Sequence, residues 1–165
     1  MTSINPKVVI CGSFKEIEGI KRIRSLIESI LFIEYGYCLV SRNIPSFVSG
    51  TYVYPTDQHI EDSQPLIDIH HHGKGEETQE SYELRYKMME AYFKAIDSCD
   101  LVFVYNLKDG KEYIGSGTMM EIGYAHARNK AIWFLLKPTD DNILSMFKGR
   151  PSYLLETVPD AKGSN

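Results

Sequence analysis

The chain has neither of the common glycine fingerprints for nucleotide cofactors. No GxGxxG follows a strand-like run and no GxxxxGK[ST] occurs, so a Rossmann dinucleotide site and an NTP-binding P-loop are not expected. It has no long basic run, and its net charge of −4 argues against a dedicated nucleic-acid surface. Apolar segments of membrane-spanning length are missing. The start, residues 1–6, is short and polar without an apolar stretch behind it, so neither a span nor a secretory leader is expected. Cysteine is scarce: Cys11, Cys38 and Cys99 are odd in number and show no CxxC spacing. They read as reduced thiols in a cytoplasmic protein. The tract His70-His71-His72 is the one feature suggestive of metal, but adjacent histidines on a loop rarely point at one ion. No metal and no cofactor are expected.

What remains is ordinary globular composition, 43% hydrophobic and 24% charged over 165 residues, enough for one domain with a real core. Residues 7–11 (KVVIC) form a β-branched run that ends at Gly12-Ser13 and read as a buried strand. Isoleucines 17, 20, 23, 27 and 30 recur at helical spacing over residues 16–33. A second strand is expected at 37–40. Residues 42–75 are broken by Pro45, Gly50, Pro55, Pro65, Gly73 and Gly75, and read as a long irregular loop of the kind that covers a site as a lid.

Helical spacing resumes over 76–97, where Tyr82, Tyr86, Met89 and Phe93 read as a core stripe, with Tyr92 off that stripe and needing a partner for its hydroxyl. A run apolar on both parities at 101–107 reads as a central parallel strand. Asp100 precedes it, at the sheet's amino end, and reads as a turn or capping residue. A helix over 118–128 follows, with Met119 and Met120 in the core. Then come a strand at 131–136, a short helix at 142–147 and a last strand at 153–155. The alternation predicts an α/β fold: a single domain over 1–160 with a loose tail at 161–165. Its sheet is doubly wound, mostly parallel and five-stranded, with helices on both faces in the flavodoxin or Rossmann manner.

In such sheets ligands sit outside the carboxyl ends of the strands. Two glycine-containing loops end there and should face one pocket: Gly12-Ser13-Phe14 after the first strand, and Gly115-Ser116-Gly117 after the third. The second runs into a helix start, whose N–H groups and dipole favour an anionic or polar ligand. Glu121 lies just inside that helix and has two readings. Thr118-Met-Met-Glu121 fits a capping box, whereas a carboxylate held at this place can also aim at an electrophilic carbon. Ser13 likewise serves either as an N-cap or as a ligand for a phosphate or ribose hydroxyl.

The Cys11-Gly12-Ser13 turn after the first strand, the spacing Asp100-x5-Asn106, and Met120-Glu121-Ile122-Gly123-Tyr124-Ala125 resemble the nucleoside 2-deoxyribosyltransferase superfamily. That superfamily also holds nucleoside 5′-monophosphate N-glycosidases. The resemblance covers residues 7–13 and 92–136. It implies that Glu121 attacks the anomeric carbon of a (deoxy)ribosyl group and forms a glycosyl-enzyme intermediate, which water or a second base resolves. It implies a small-molecule nucleoside or nucleotide substrate, and a homodimer or higher homo-oligomer. The transferases carry an aspartate where this chain has Gly115, a second where it has Tyr92, and a tyrosine where it has Val9. Tyr92, Tyr113 and Asn106 stand in as candidates for handling base or nucleophile, and Ser13 and Ser116 for a 5′-phosphate. The missing aspartates equally fit a nucleotide-binding module without catalysis.

Overall fold

The computed structural model describes residues 7–28 and 52–158. The expected strand at 37–40 with Cys38, the helix end at 29–33, the stretch 42–51 and the tail lie outside the described residues. In chain order the elements are β1 (Lys7–Gly12), a 3-10 turn (Phe14–Glu16), α1 (Ile17–Glu28), β2 (Tyr52–Tyr54), α2 (Asp57–Asp62), α3 (Gln64–His72) and α4 (Gln79–Ser98). Then follow β3 (Leu101–Tyr105), a two-residue hairpin β4 (Leu107–Lys108) and β5 (Lys111–Glu112), α5 (Ser116–Ala127), β6 (Ala131–Leu136), α6 (Asp141–Met146) and β7 (Ser152–Leu155).

β1, β3 and β6 form because each is a run of β-branched, aromatic or leucine side chains that a sheet covered on both faces can bury. The five-stranded sheet has the order β2-β1-β3-β6-β7, and every pairing in it is parallel. This is the flavodoxin-like order, and it places the topological switch between β1 and β3. Side chains alternate between two cores. Val8, Ile10, Leu101, Phe103 and Tyr105 pack with Ile20 and Ile27 of α1. Val9, Cys11, Val102 and Val104 pack on the other face with Tyr92 and Ile96 of α4 and Ile122 and Ala125 of α5. Asp100 closes the amino end as expected: its carboxylate accepts from Lys7 N at 2.8 Å and its own N–H donates to Lys7 O at 2.8 Å.

Several expectations are corrected. Residues 52–72 are not an irregular loop but a strand and two helices. Thr56 caps α2 by accepting from His59 N, Pro65 sits in the first turn of α3, and Gly73 takes the left-handed conformation (φ 62°) that ends it. His70, His71 and His72 therefore lie on the last turn of α3, where His72 pairs with Asp68 one turn back at 3.2 Å. The third strand stops at Tyr105, and the chain turns into the β4–β5 hairpin rather than continuing to 107. Tyr82 and Tyr86 are not core but 52% and 62% exposed, and Met120 is 52% exposed.

Candidate active site

The carboxyl ends of β1 and β3 open into a cavity of about 460 Å³, floored by Gly12, Ser13 and Phe14 and bordered by α2, α3, α4, the hairpin and the start of α5. Gly12 is required here by close approach, since a Cβ at this position would stand 2.8 Å from the Tyr105 carbonyl oxygen. Ser13 precedes the 3-10 turn but makes no side-chain cap bond, which leaves its hydroxyl to the cavity.

The second glycine loop meets it as expected, but the helix starts two residues earlier than the sequence pattern predicts. Gly115 is the N-cap in extended conformation (φ −76°, ψ 166°) and α5 begins at Ser116. Thr118 is thus already inside the helix, 6% exposed, and the capping box with Glu121 does not form. The leading N–H groups of α5 have no acceptor within the helix. Gly115, Ser116, Gly117 and Thr118 all line the cavity.

Freed of a cap, Glu121 faces the cavity from the second turn of α5, half-buried, with the Cys11 thiol close to its carboxylate. Burial pushes its pKa up to about 8, against a smaller lowering by the Cys11 thiol. Cys11 itself is fully buried, and desolvation followed by the Glu121 charge raises its pKa well above a free thiol's. Tyr92 also lines the cavity, and its hydroxyl donates to the Ile10 carbonyl at 3.0 Å, which fixes the ring beside β1. Desolvation and then the Glu121 charge hold that phenol well above its ordinary pKa, so it stays neutral. Tyr113 is 43% exposed at the rim, with the Lys108 ammonium 4.4 Å over its ring.

Asn106 is the one expected site residue that the structure places away from the cavity. It is fully buried and outside the cavity lining. Its amide N–H groups donate to Leu136 O at 2.9 Å and Glu112 at 3.0 Å, and its oxygen accepts from Leu136 N at 2.9 Å. Asn106 ties β3 to β6 and to the hairpin.

Sequence reasoning reached Tyr92 on α4 but missed the wall contributed by α2, α3 and the rest of α4. His59 is buried there, beside Phe14, Tyr54 and Tyr92. Farther along α3 and α4, His70, His71 and Arg85 line the cavity, with Lys108 across from them. Arg85 reaches both His70 and Glu77. The signal that was available is Thr56 followed by Asp57, a helix start inside the segment read as irregular. Among the described residues no group of three or more His, Cys, Asp or Glu is placed to hold a metal. No helix among them is long and apolar enough to cross a membrane.

Residues 50–155 match the family model for nucleoside 2-deoxyribosyltransferase. The chain belongs to this family. The match takes in the segment of β2, α2 and α3, which the sequence motifs alone did not reach. Among solved structures, the CMP N-glycosidase of Clostridium botulinum is similar at 21% identity and a TM-score of 0.45, over 90% of this chain and 87% of that one. No curated protein matches the chain in sequence. Of the two positions where the resemblance led us to expect acids in the transferases, Gly115 forms the N-cap of α5 and Tyr92 has its phenol bonded to β1.

Proposed function

We propose that this nucleoside 2-deoxyribosyltransferase family member cleaves or transfers the N-glycosidic bond of a (deoxy)nucleoside or its 5′-monophosphate, with Glu121 as nucleophile. The observation that carries the reading is the placement of the Glu121 carboxylate, uncapped and facing a cavity of about 460 Å³ between the two glycine loops. One carboxylate oxygen attacks C1′ as the C1′–N bond breaks, and the bonding pair leaves with the base. Water or a second base then attacks C1′ and releases the carboxylate; in hydrolysis, the departed base takes up the proton that water gives up. Tyr92 holds the wall beside the nucleophile. Ser13 and Ser116, with the leading N–H groups of α5, bind the hydroxyl or phosphate end of the substrate. The Arg85 and Lys108 charges on the lining favour an anionic substrate, hence the monophosphate over the free nucleoside. Tyr82 and Tyr86, exposed on α4, supply an apolar face for a homodimer or higher oligomer, which the solution mass checks.

The test is a panel of nucleosides and 5′-monophosphates, incubated with and without an acceptor base, with free base followed by chromatography. Glycosyl transfer or hydrolysis gives base release on at least one member. Ligand-induced thermal stabilisation with no product over long incubation would instead establish the non-catalytic nucleotide-binding module that Gly115 and Tyr92, in place of acids, also fit.

A pH profile follows from the same carboxylate. With a pKa of about 8 in the free protein, Glu121 is mostly protonated at neutral pH and becomes a nucleophile only on ionisation. We expect kcat/KM to rise about tenfold per pH unit below 8 and to level off above it. A flat profile from pH 5.5 to 9 would remove Glu121 ionisation from the rate.

A further inference from the structure

One residue of the cavity lining, His59, carries a polar atom that the proposed chemistry does not use. Its Nε2 is buried and has no hydrogen-bond partner among the described residues, and the residue is only 7% exposed. Leaving such a group unpaired costs about 1–3 kcal/mol, so it is retained where something else pairs with it. The other ring nitrogen, Nδ1, is hydrogen-bonded to the Tyr54 hydroxyl. If the phenol donates to Nδ1, the imidazole proton sits on Nε2 and only that N–H lacks a partner. If Nδ1 donates instead, both the phenol proton and the Nε2 lone pair are stranded. The first arrangement leaves fewer groups unsatisfied and makes Nε2 a donor. Burial lowers the His59 pKa to about 4, with a smaller opposing effect of Asp62, so the ring is a neutral donor at physiological pH.

Position decides what it donates to. Ser63, next to the end of α2, bonds Met88 on α4 at 3.1 Å, while His70 meets Arg85 a helix turn farther out. Helices α3 and α4 thus run side by side, with Tyr92 at one end and Arg85 at the other, about 10 Å apart along the helix. At the Arg85 end, where Glu77 pairs with the guanidinium, Lys108 adds a second cation to the lining, so that end suits an anion. The His59 end is walled by aromatic rings, Phe14 at 6.1 Å, Tyr54 at 4.8 Å and Tyr92 at 5.2 Å between centroids. Flat apolar walls with one neutral donor suit a planar heteroaromatic ring bearing a carbonyl oxygen or ring nitrogen.

We infer that His59 Nε2–H is the hydrogen-bond donor that holds the nucleobase of the substrate, at the aromatic end of the cavity. This rests on the nucleoside or nucleotide reading above. Tyr54 fixes the tautomer and is a positioning residue.

The test is equilibrium binding of free uracil, cytosine, adenine and hypoxanthine, each titrated separately. In the wild-type protein the imidazole Nε2 resonance should shift on addition of at least one base. His59→Phe, which keeps the ring, should weaken that base about tenfold, and His59→Gln, which restores a donor, should recover part of the affinity. The double variant Tyr54→Phe/His59→Phe removes the phenol that His59→Phe strands, and serves if the single variant does not fold. Equal affinities in wild type and His59→Phe, an unmoved Nε2 resonance, or no binding of any base would overturn the inference and leave a structural nitrogen. Base binding that depends on His59 without any Glu121-dependent turnover would sink the catalytic reading alone. Glu121-dependent turnover indifferent to His59 would sink this inference alone.

Discussion

Replacing Glu121 with glutamine is expected to abolish base release while raising thermal stability in alkaline solution. The amide matches the carboxylate in shape, and the N-cap of α5 is made by Gly115 rather than by Glu121, so the helix start and the cavity persist. It offers C1′ no anionic oxygen, and loss of a covalent nucleophile lowers kcat by about three orders of magnitude or more. The stability effect has the opposite sign. Glu121 has its folded pKa raised from 4.5 to about 8, because burial disfavours the charged form. The folded state therefore holds a proton that the unfolded chain has given up, and the stability this gives is present below about pH 4.5 and lost as pH rises through about 8. Glutamine stays neutral throughout. The Tm of Glu121→Gln minus that of the wild type should grow between pH 5 and pH 8.5 and then level off. A variant that loses activity and also loses stability equally at all pH values would mean that the carboxylate serves structure. One that keeps full turnover would remove it from the chemistry.

The same residue shows what the sequence could and could not say. Runs such as KVVIC, LVFVY and AIWFLL can be satisfied only by a covered parallel sheet, so the central strands and the end of the sheet that carries the site were legible from composition alone. Glu121 was ambiguous because Thr-x-x-Glu fits a cap as well as a site. Only the backbone removes the cap, by taking Gly115 extended and starting the helix at Ser116. The wall from 52 to 72 was misread for a related reason. Its two prolines and Gly73 just past its end count as breakers in a periodicity scan, yet Pro65 occupies a first helical turn and Gly73 a helix end, where each is favoured. With α2 and α3 unread, His59 had no place in the site. Tyr82 and Tyr86 carry a core-like spacing but lie on a 20-residue helix that outruns the five- and six-residue strands it packs on. Helical periodicity reports that a face is apolar; it does not report what covers it.

Asn106→Leu should be the most damaging substitution outside the reaction itself, and it separates two meanings of a buried polar residue near a site. As a substrate ligand, Asn106 would give a raised KM and an unmoved Tm on replacement. The structure assigns the reverse. Its side chain satisfies both the N–H and the carbonyl of Leu136, itself 2% exposed, and reaches Glu112, whose other oxygen accepts from Thr139 at 2.9 Å. Leucine fills the space and offers neither a donor nor an acceptor. Two backbone groups at the end of β6 are then left buried and unpaired, at about 1–3 kcal/mol each. About 2 kcal/mol for each of the two groups, about 4 kcal/mol together, corresponds to a fall in Tm of roughly 10 °C for a domain of this size. In the fraction that stays folded below that temperature, KM should be unchanged, because the side chain lies outside the cavity lining. A variant with native Tm and raised KM would return Asn106 to the substrate. The expected outcome instead makes it the clamp that keeps the carboxyl ends of β3 and β6 in register, the edge from which the Glu121 loop departs.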